Sequence, residues 1–218
     1  MMLPLDLLSG FFAICILLAL TPGPDNIFVL TQSALSGRLA GIFVVLGLCT
    51  GVLVHSSAVA LGVAAIVQTS SLAFNALKIF GACYLLYLAW SVLRIQPEPI
   101  AVADPSAAAH KPDQQKSDYF RLYRRGIIMN VTNPKVSIFF LSFLPQFADP
   151  ARGSVAAQIF ILGGFFILST LLIFGGLALL AGTIGTHLRN STRAQNIINK
   201  IAGLVFIGLA IKLATLQR

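Results

Sequence analysis

Two short strings inside long apolar stretches contain the residues of this chain that can do chemistry. They read TPGPDN, from Thr21 to Asn26, and VTNPK, from Val131 to Lys135. Each places proline beside a charged residue, Asp25 in the first string and Lys135 in the second. Proline removes a backbone donor and clashes with the preceding helical turn, and a charge at bilayer depth costs about 2.5–3.5 kcal/mol on insertion scales. We therefore expect both strings to serve function.

Both strings predict that one helix stops and another starts. Asn133 is a favourable N-cap and Pro134 a favourable first helical residue. We therefore expect free amide groups around Lys135 and Val136, where the start of a helix attracts an anion. The predicted hinge residues are Thr21, Pro22, Gly23, Pro24 and Pro134.

Asp25 and Lys135 carry opposite charges at corresponding places in the two strings. They can pair when the site is empty, and a substrate with both an ammonium and a carboxylate group can replace that pairing. The alternatives are structural: Asp25 complements a helix dipole, or Lys135 meets a structural need alone. The predicted substrate-binding residues are Asp25, Asn26, Asn133, Lys135 and His55.

His55 shares a helical stripe with Gly47 and Gly51, at four-residue spacing. Small residues at this interval allow close helix packing, so we expect the imidazole to point into the helix bundle. Either it is hydrogen-bonded for packing, or it handles a proton, for which its ordinary pKa near 6.5 is suited. For proton coupling, Asp25 is the first candidate and His55 the second.

Composition indicates an integral membrane protein. Of 218 residues, 57% are hydrophobic and 10% charged, with a mean hydropathy of +0.87, which is too apolar for one water-soluble core. A net charge of +8 would favour nucleic acid in a soluble domain, but here the basic residues cluster in loops. We therefore expect no nucleic-acid partner.

Hydropathy predicts six transmembrane helices, because six runs approach the roughly 20 residues that cross a bilayer. The first run lacks a preceding basic region, so we interpret it as a retained helix and not as a signal peptide. The runs cover residues 7–31, 41–66, 74–93, 127–148, 156–182 and 197–216.

An internal repeat divides the chain. Pro24 matches Pro134, GIFVVLGL from Gly41 resembles QIFILGGF from Gln158, and KIFGACYLLYLA from Lys78 resembles KIAGLVFIGLAI from Lys200. Three helices per half is an odd number, so the second half must enter the membrane with opposite polarity, as in many secondary transporters. We predict a first repeat over 1–94, a flexible cytoplasmic connector over 95–120 and a second repeat over 121–218, with helices 1 and 4 broken at the proline motifs.

The positive-inside tendency predicts that both termini lie outside. The connector is then cytoplasmic, and few basic loop residues face out. Cytoplasmic ones are Arg38, Arg94, Lys111, Lys116, Arg121, Arg124, Arg125, Arg189, Arg193 and Lys200; outer ones are Lys78, Arg152 and Arg218.

These motifs together resemble the LysE/RhtB family of bacterial amino acid exporters. The resemblance rests on TPGP followed by Asp and Asn, a glycine-rich second helix bearing His55, the segment GIIMNVTNPK, and the continuation FFLSFLPQF. It implies a six-helix inner-membrane protein that exports amino acids in exchange for protons. The family's motif residues fall on Thr21, Pro22, Gly23, Pro24, Asn133, Pro134 and Lys135.

Our functional prediction is export of neutral amino acids, branched aliphatic or small hydroxylated, because Asp25 is nearly alone as an intramembrane acid. An ion or metal transporter is the alternative, although the available ligand set is poor. An enzyme is not expected, since the chain lacks HExxH, a nucleophile elbow and a second embedded carboxylate. The expected partners are the lipid bilayer and a small-molecule amino acid, with no cofactor and no metal, and a homo-oligomer is left open.

Overall fold

The computed structural model describes residues 3–21, 23–63, 71–94, 112–180 and 192–215, which are almost entirely helical and contain no strand. The all-α prediction is confirmed. The helices are α1 (Leu5–Leu20), α2 (Pro24–Ser36), α3 (Arg38–Ala58), α4 (Ser71–Arg94), α5 (Pro112–Thr132), α6 (Pro134–Ile138), α7 (Val155–Leu180) and α8 (Thr192–Thr215).

Two of the helices continue in other helical forms. α3 runs on as a π-helix over Val59–Val63. α6 runs on as a π-helix over Phe139–Phe143 and then as a 3₁₀-helix over Leu144–Phe147; we call Pro134–Phe147 the α6 segment. The two π-helices contact each other. π-helices are rare overall, and those that occur are often found at functional sites. The region after the second break is therefore a candidate functional region.

Helix length and hydropathy identify two clear membrane spans among the described residues, Arg38–Gly62 and Val155–Leu180. The number rises to four if each bent pair, α1 with α2 and α5 with the α6 segment, forms one span. The other two predicted spans coincide with α4 and α8, each 24 residues long. The total of six remains a prediction.

Both helix breaks lie where the proline motifs predict them. The chain bends by 62° between α1 and α2, and by 52° between α5 and the α6 segment. Pro24 and Pro134 are each the first residue of the helix after the break, where the missing N–H costs nothing. Pro22 lies outside the described residues, as do residues 95–111 of the predicted connector, whereas its residues 112–120 belong to α5.

The bundle packs around α3 and α7. The most extensive contacts join α3 to α5, α4 to α8, α3 to α7, and α1 to α7. The larger apolar cluster contains Phe11 and the phenylalanines of the α6 segment, and the smaller one joins α2 and α3 to the end of α7. The two breaks therefore lie between apolar layers.

α3 and α5 cross at backbone distance. A Cβ added at Gly47 would meet the carbonyl oxygen of Tyr123 and would lie 3.0 Å from the Cα of Gly126. A Cβ at Gly126 would meet the carbonyl oxygen of Val44. These obstacles are backbone atoms, so the helices would have to separate.

Gly47→Ala is expected to lower the free energy of unfolding by about 1–3 kcal/mol, the usual cost of overpacking. Thermal melting of the purified protein in detergent measures this. The matched control is Gly164→Ala, because a Cβ there meets nothing within 4 Å, and it should leave stability unchanged or raise it slightly through helix propensity. Equal melting temperatures for the two variants would contradict the close crossing.

Candidate functional site

The first break exposes the carbonyl groups at the end of α1. The Thr21 N–H and hydroxyl both donate to Leu17 O, at 3.0 and 2.8 Å. Gly23 is extended, and α2 then starts at Pro24 without a side-chain cap. Because the last carbonyls of a helix lack intrahelical donors, the next ones along α1 need partners from elsewhere.

Lys135 and Asn26 supply those partners. The Lys135 ammonium donates to Leu18 O and to Thr21 O, both at 3.1 Å. The Asn26 amide donates to Ala19 O at 2.9 Å. Lys135 is only 9% exposed, and its charge lies at the negative end of the α1 dipole, where a cation is favoured. The second half of the chain therefore caps a helix of the first half.

The second break is capped by its own residues. The Asn133 side-chain oxygen accepts from the Lys135 N–H at 3.0 Å, and the Val136 N–H donates to Asn133 O at 3.1 Å. The N-cap prediction for Asn133 is thus confirmed. The expectation of free amide groups at Lys135 and Val136 is wrong. The Lys135 N–H is taken by the side-chain oxygen of Asn133, and the Val136 N–H by its backbone oxygen.

A side-chain hydrogen bond joins the two breaks directly. The Asn133 amide donates to one carboxylate oxygen of Asp25 at 2.9 Å, and both residues are buried. Among the described residues, the ion pairs are Asp118–Arg121 and Asp149–Arg152. Asp25 and Lys135 therefore do not form an ion pair in this structure, since Lys135 turns to the α1 carbonyls and Asp25 to Asn133.

Three buried oxygens around the breaks accept no hydrogen bond in this structure. They are Oδ1 of Asp25, Oδ1 of Asn26 and Oδ1 of Asn130. A buried acceptor without a donor costs about 1–3 kcal/mol, so each is a candidate position for a donor that arrives with a ligand or a proton. All three are acceptors, which favours an ammonium group or a proton over an anion.

His55 caps the other helix end. Its Nε2 lies 3.2 Å from Asn130 O, near the end of α5, and its ring stacks on Phe140 at a centroid distance of 5.4 Å. The prediction that His55 points into the bundle is confirmed, since it is 8% exposed. Gly51 leaves room for Asn130 beside His55, because a Cβ at Gly51 would lie 2.6 Å from the Asn130 side chain.

A cluster of phenylalanines adjoins the site. Phe11 contacts Phe139 and Phe147, and Phe140 packs edge-to-face on Phe166 at 5.1 Å. FFLSFLPQF is part of the family resemblance, and this cluster was not predicted from it. The signal that could have predicted the cluster was the high number of phenylalanines in this motif. Their side chains in the α6 segment pack against α1 and α7. His55 therefore lies between Asn130 on one side and the ring of Phe140 on the other.

The predicted site residues thus form one continuous contact network. Hydrogen bonds join Asn133 to Asp25 and to Lys135, and Asn26 and Lys135 both donate to carbonyls at the end of α1. His55 joins them at Asn130 O, which also accepts from the Asn133 N–H at 3.1 Å. Within the described part of the chain, no group of three or more His, Cys, Asp or Glu side chains is placed to hold a metal ion. Asn130 was not among the predicted site residues.

The fold and the paired breaks define a class: an all-helical, multi-pass membrane protein whose two interrupted helices meet through buried polar side chains. The chain belongs to the LysE type translocator family, whose family model matches residues 16–217. The resemblance stated from the motifs is thereby confirmed.

Individual relatives support the same grouping. The chain is 29% identical over 208 residues to the leucine efflux proteins of Salmonella typhimurium and Salmonella typhi, covering 93% of this chain and 92% of those proteins. It is 30% identical over 203 residues to an uncharacterised membrane protein of Pseudomonas aeruginosa, covering 90% of this chain and 89% of that protein. No solved structure matches the chain.

Proposed function

We propose that this protein is a secondary transporter that exports neutral amino acids, branched aliphatic or small hydroxylated, across the bacterial inner membrane. The observation that carries the proposal is the bridge between the breaks: Asp25 bound by Asn133 and Lys135 bound to the α1 carbonyls. A buried acid, a buried cation and unpartnered oxygens match a zwitterion. The family membership and the printed name of the leucine efflux relatives support the same substrate class.

The proposed architecture is an inverted repeat of three helices per half. The repeat relates α1 and α2 to α5 and the α6 segment, α3 to α7, and α4 to α8. The α3–α7 and α4–α8 contacts then map onto themselves, and the α3–α5 contact maps onto α7–α1. All four are among the most extensive contacts in the bundle, which supports the repeat. Both termini are proposed to lie outside and the 95–120 loop in the cytoplasm.

The substrate is proposed to replace the bonds that hold the breaks together. Its carboxylate takes the Lys135 ammonium from the α1 carbonyls, and its ammonium group takes Asp25 and a neighbouring unpartnered oxygen. Of the contacts that cross between the two halves, three lie at or beside the breaks and would have to change as one repeat moves against the other: Lys135 to α1, Asn133 to Asp25, and His55 to Asn130. Binding at the breaks is thereby coupled to alternating access.

Proton antiport is the proposed energy source. Asp25 is the first candidate for the coupling proton because its second carboxylate oxygen is buried without a donor, and His55 is the second. A charge moved across 100 mV supplies about 2.3 kcal/mol. Proton entry can therefore reset the carrier after substrate release.

Growth protection and efflux test the proposed function. Cells that express the protein should tolerate higher concentrations of a leucine-containing dipeptide, because exported leucine no longer accumulates inside. Efflux of a panel of labelled amino acids from loaded cells identifies the substrate, and we expect neutral aliphatic or hydroxylated members to leave at least about tenfold faster than from cells carrying empty vector.

The alternative of an ion or metal transporter predicts a different outcome. Unpartnered oxygens can accept a cation, but a hard divalent cation prefers several carboxylates, and Asp25 is the carboxylate at these breaks. Altered metal tolerance with no change in efflux of any labelled amino acid would overturn the exporter proposal. Unchanged metal tolerance together with amino acid efflux supports it.

A further inference from the structure

A cavity lies apart from the breaks, at the end of the bundle where α1 begins. Its volume is about 390 Å³. Asp6, Gly10 and Ile14 line it from α1, Phe143 and Gln146 from the α6 segment, and Leu213 from α8. It therefore lies where the first part of one broken helix faces the last part of the other.

The cavity lies between the two segments that lead to and from the breaks. α1 leads from this end of the bundle to the first break, and the α6 segment leads from the second break back to it. Ile14, at the inner end of the cavity, lies two helical turns before Thr21, about 10 Å along the axis. A molecule leaving the breaks toward the side where α1 begins would enter this cavity.

The polar groups of the cavity are acceptors. The Asp6 carboxylate is exposed, and it forms no ion pair or hydrogen bond with a described residue. The Gln146 amide nitrogen donates to Ser142 O at 3.2 Å, which leaves its side-chain oxygen buried and without a donor. Two oxygen acceptors, one of them charged, are complementary to an ammonium group and repel a carboxylate.

The remaining walls suit an aliphatic side chain. Ile14, Phe143 and Leu213 present hydrocarbon to the cavity. Gly10 adds space, because a Cβ there would meet nothing within 4 Å. The volume lies near the lower end of the usual range for ligand pockets, about 300–1,000 Å³, so the cavity fits a small ligand.

We propose that this cavity is an exit site, which binds the ammonium group of the outgoing amino acid at Asp6 and Gln146 and its side chain against Ile14 and Phe143. The proposal rests on the proposed export function and adds to it a second, sided binding site. Substrate would pass from the paired breaks to acceptors that hold only its ammonium end, while its carboxylate faces outward to water.

The test measures binding from the side where α1 begins. Right-side-out membrane vesicles loaded with labelled leucine are exposed to unlabelled leucine outside, and exchange gives the half-saturating outer concentration. Everted vesicles give the inner value. Asp6→Asn should raise the outer value about tenfold, as expected for loss of a charged hydrogen-bond partner, and leave the inner value unchanged.

Two further variants separate charge from space. Gly10→Leu fills the cavity and should also raise the outer value about tenfold. The matched controls are Asp118→Asn, an acid on the helix that leads to the other break, and Gly164→Leu, a second glycine whose Cβ meets nothing within 4 Å; both should behave as the parent protein. If Gly10→Leu acts and Asp6→Asn does not, the cavity holds an apolar group such as a lipid chain, and the ammonium assignment is overturned.

Direct binding keeps this test independent of transport. Isoamylamine carries the leucine side chain with an amine but no carboxylate, and isocaproate carries the carboxylate but no amine. Isoamylamine should raise the melting temperature of the purified full chain, isocaproate should not, and Asp6→Asn should remove the effect. Amine binding that depends on Asp6 in a protein that exports no amino acid would refute the proposed function and retain the site. Export with no Asp6 effect in either assay would refute the exit site alone.

Discussion

Replacing Lys135 with methionine is expected to abolish measurable export and to lower the free energy of unfolding by about 2 kcal/mol. Methionine keeps most of the apolar stem but leaves Leu18 O and Thr21 O, each 3.1 Å from the Lys135 ammonium, without their donor. Each buried carbonyl without a donor costs about 1–3 kcal/mol, and relief of the desolvated charge offsets part of this. Thermal melting and labelled efflux measure the two effects.

The control for this substitution is Lys200→Met, because Lys200 is an exposed lysine on α8. Surface changes of this kind usually shift stability by less than about 0.5 kcal/mol, and efflux should persist. Efflux normalised to folded protein separates the two roles of Lys135. If stability falls while normalised efflux is unchanged, Lys135 only caps α1 and does not bind the substrate carboxylate.

Asp25→Asn is expected to uncouple transport from the membrane potential while leaving the fold intact. The new amide has nearly the same shape, and its oxygen can still accept from Asn133, which donates to Asp25 at 2.9 Å. What disappears is the group that takes up a proton. With one proton exchanged per neutral substrate, 100 mV supports about a 50-fold accumulation. The variant should accumulate none, yet still exchange labelled for unlabelled substrate, because the amide oxygen remains an acceptor for the substrate ammonium group.

Proteoliposomes with an imposed potassium diffusion potential measure both activities in one preparation. Asp118→Asn is the matched control, since it removes a carboxylate that is half exposed and paired with Arg121 at 3.9 Å. Accumulation by Asp25→Asn would show that the proton binds elsewhere, and His55→Gln then tests the second candidate. Loss of exchange as well, in folded protein, would show that the substrate ammonium group needs the negative charge of Asp25 and not only an oxygen acceptor at that position.

The pairing of the breaks explains how a lysine and an aspartate can lie buried inside an apolar helix bundle. A broken helix in lipid needs partners for its freed carbonyls, and Lys135 and Asn26 satisfy three of those at the end of α1. His55 does the same near the end of α5. The structural and the functional interpretation of these residues are therefore compatible, because the donors that hold the breaks are also the groups a zwitterion would bind.

Part of this site could be read from residue order. The proline motifs located both breaks, Asn133 was identified as an N-cap, and the Gly47–Gly51–His55 stripe placed His55 inside the bundle. These predictions succeed because they depend on local chemistry: proline lacks an N–H, asparagine accepts from a nearby amide, and glycines four residues apart share one helix face.

The hydrogen-bond partners could not be read in this way. An Asp25–Lys135 ion pair and free amides at the second break were reasonable expectations from charge and helix polarity, and neither is present. Which acceptor Lys135 reaches depends on how closely α1 approaches the α6 segment, and that approach is set by the packing of Phe11 against Phe139 and Phe147.

The sequence by itself determined the class of protein, the helical fold and the positions of the two breaks, because hydropathy and proline act over a few neighbouring residues. The tertiary structure decided which buried groups meet, including the capping of α1 by a lysine 114 positions beyond Thr21 and the cavity between α1, the α6 segment and α8. The physical reason is that hydrogen-bond geometry between distant segments depends on helix crossings, and those follow from the packing of all the helices together.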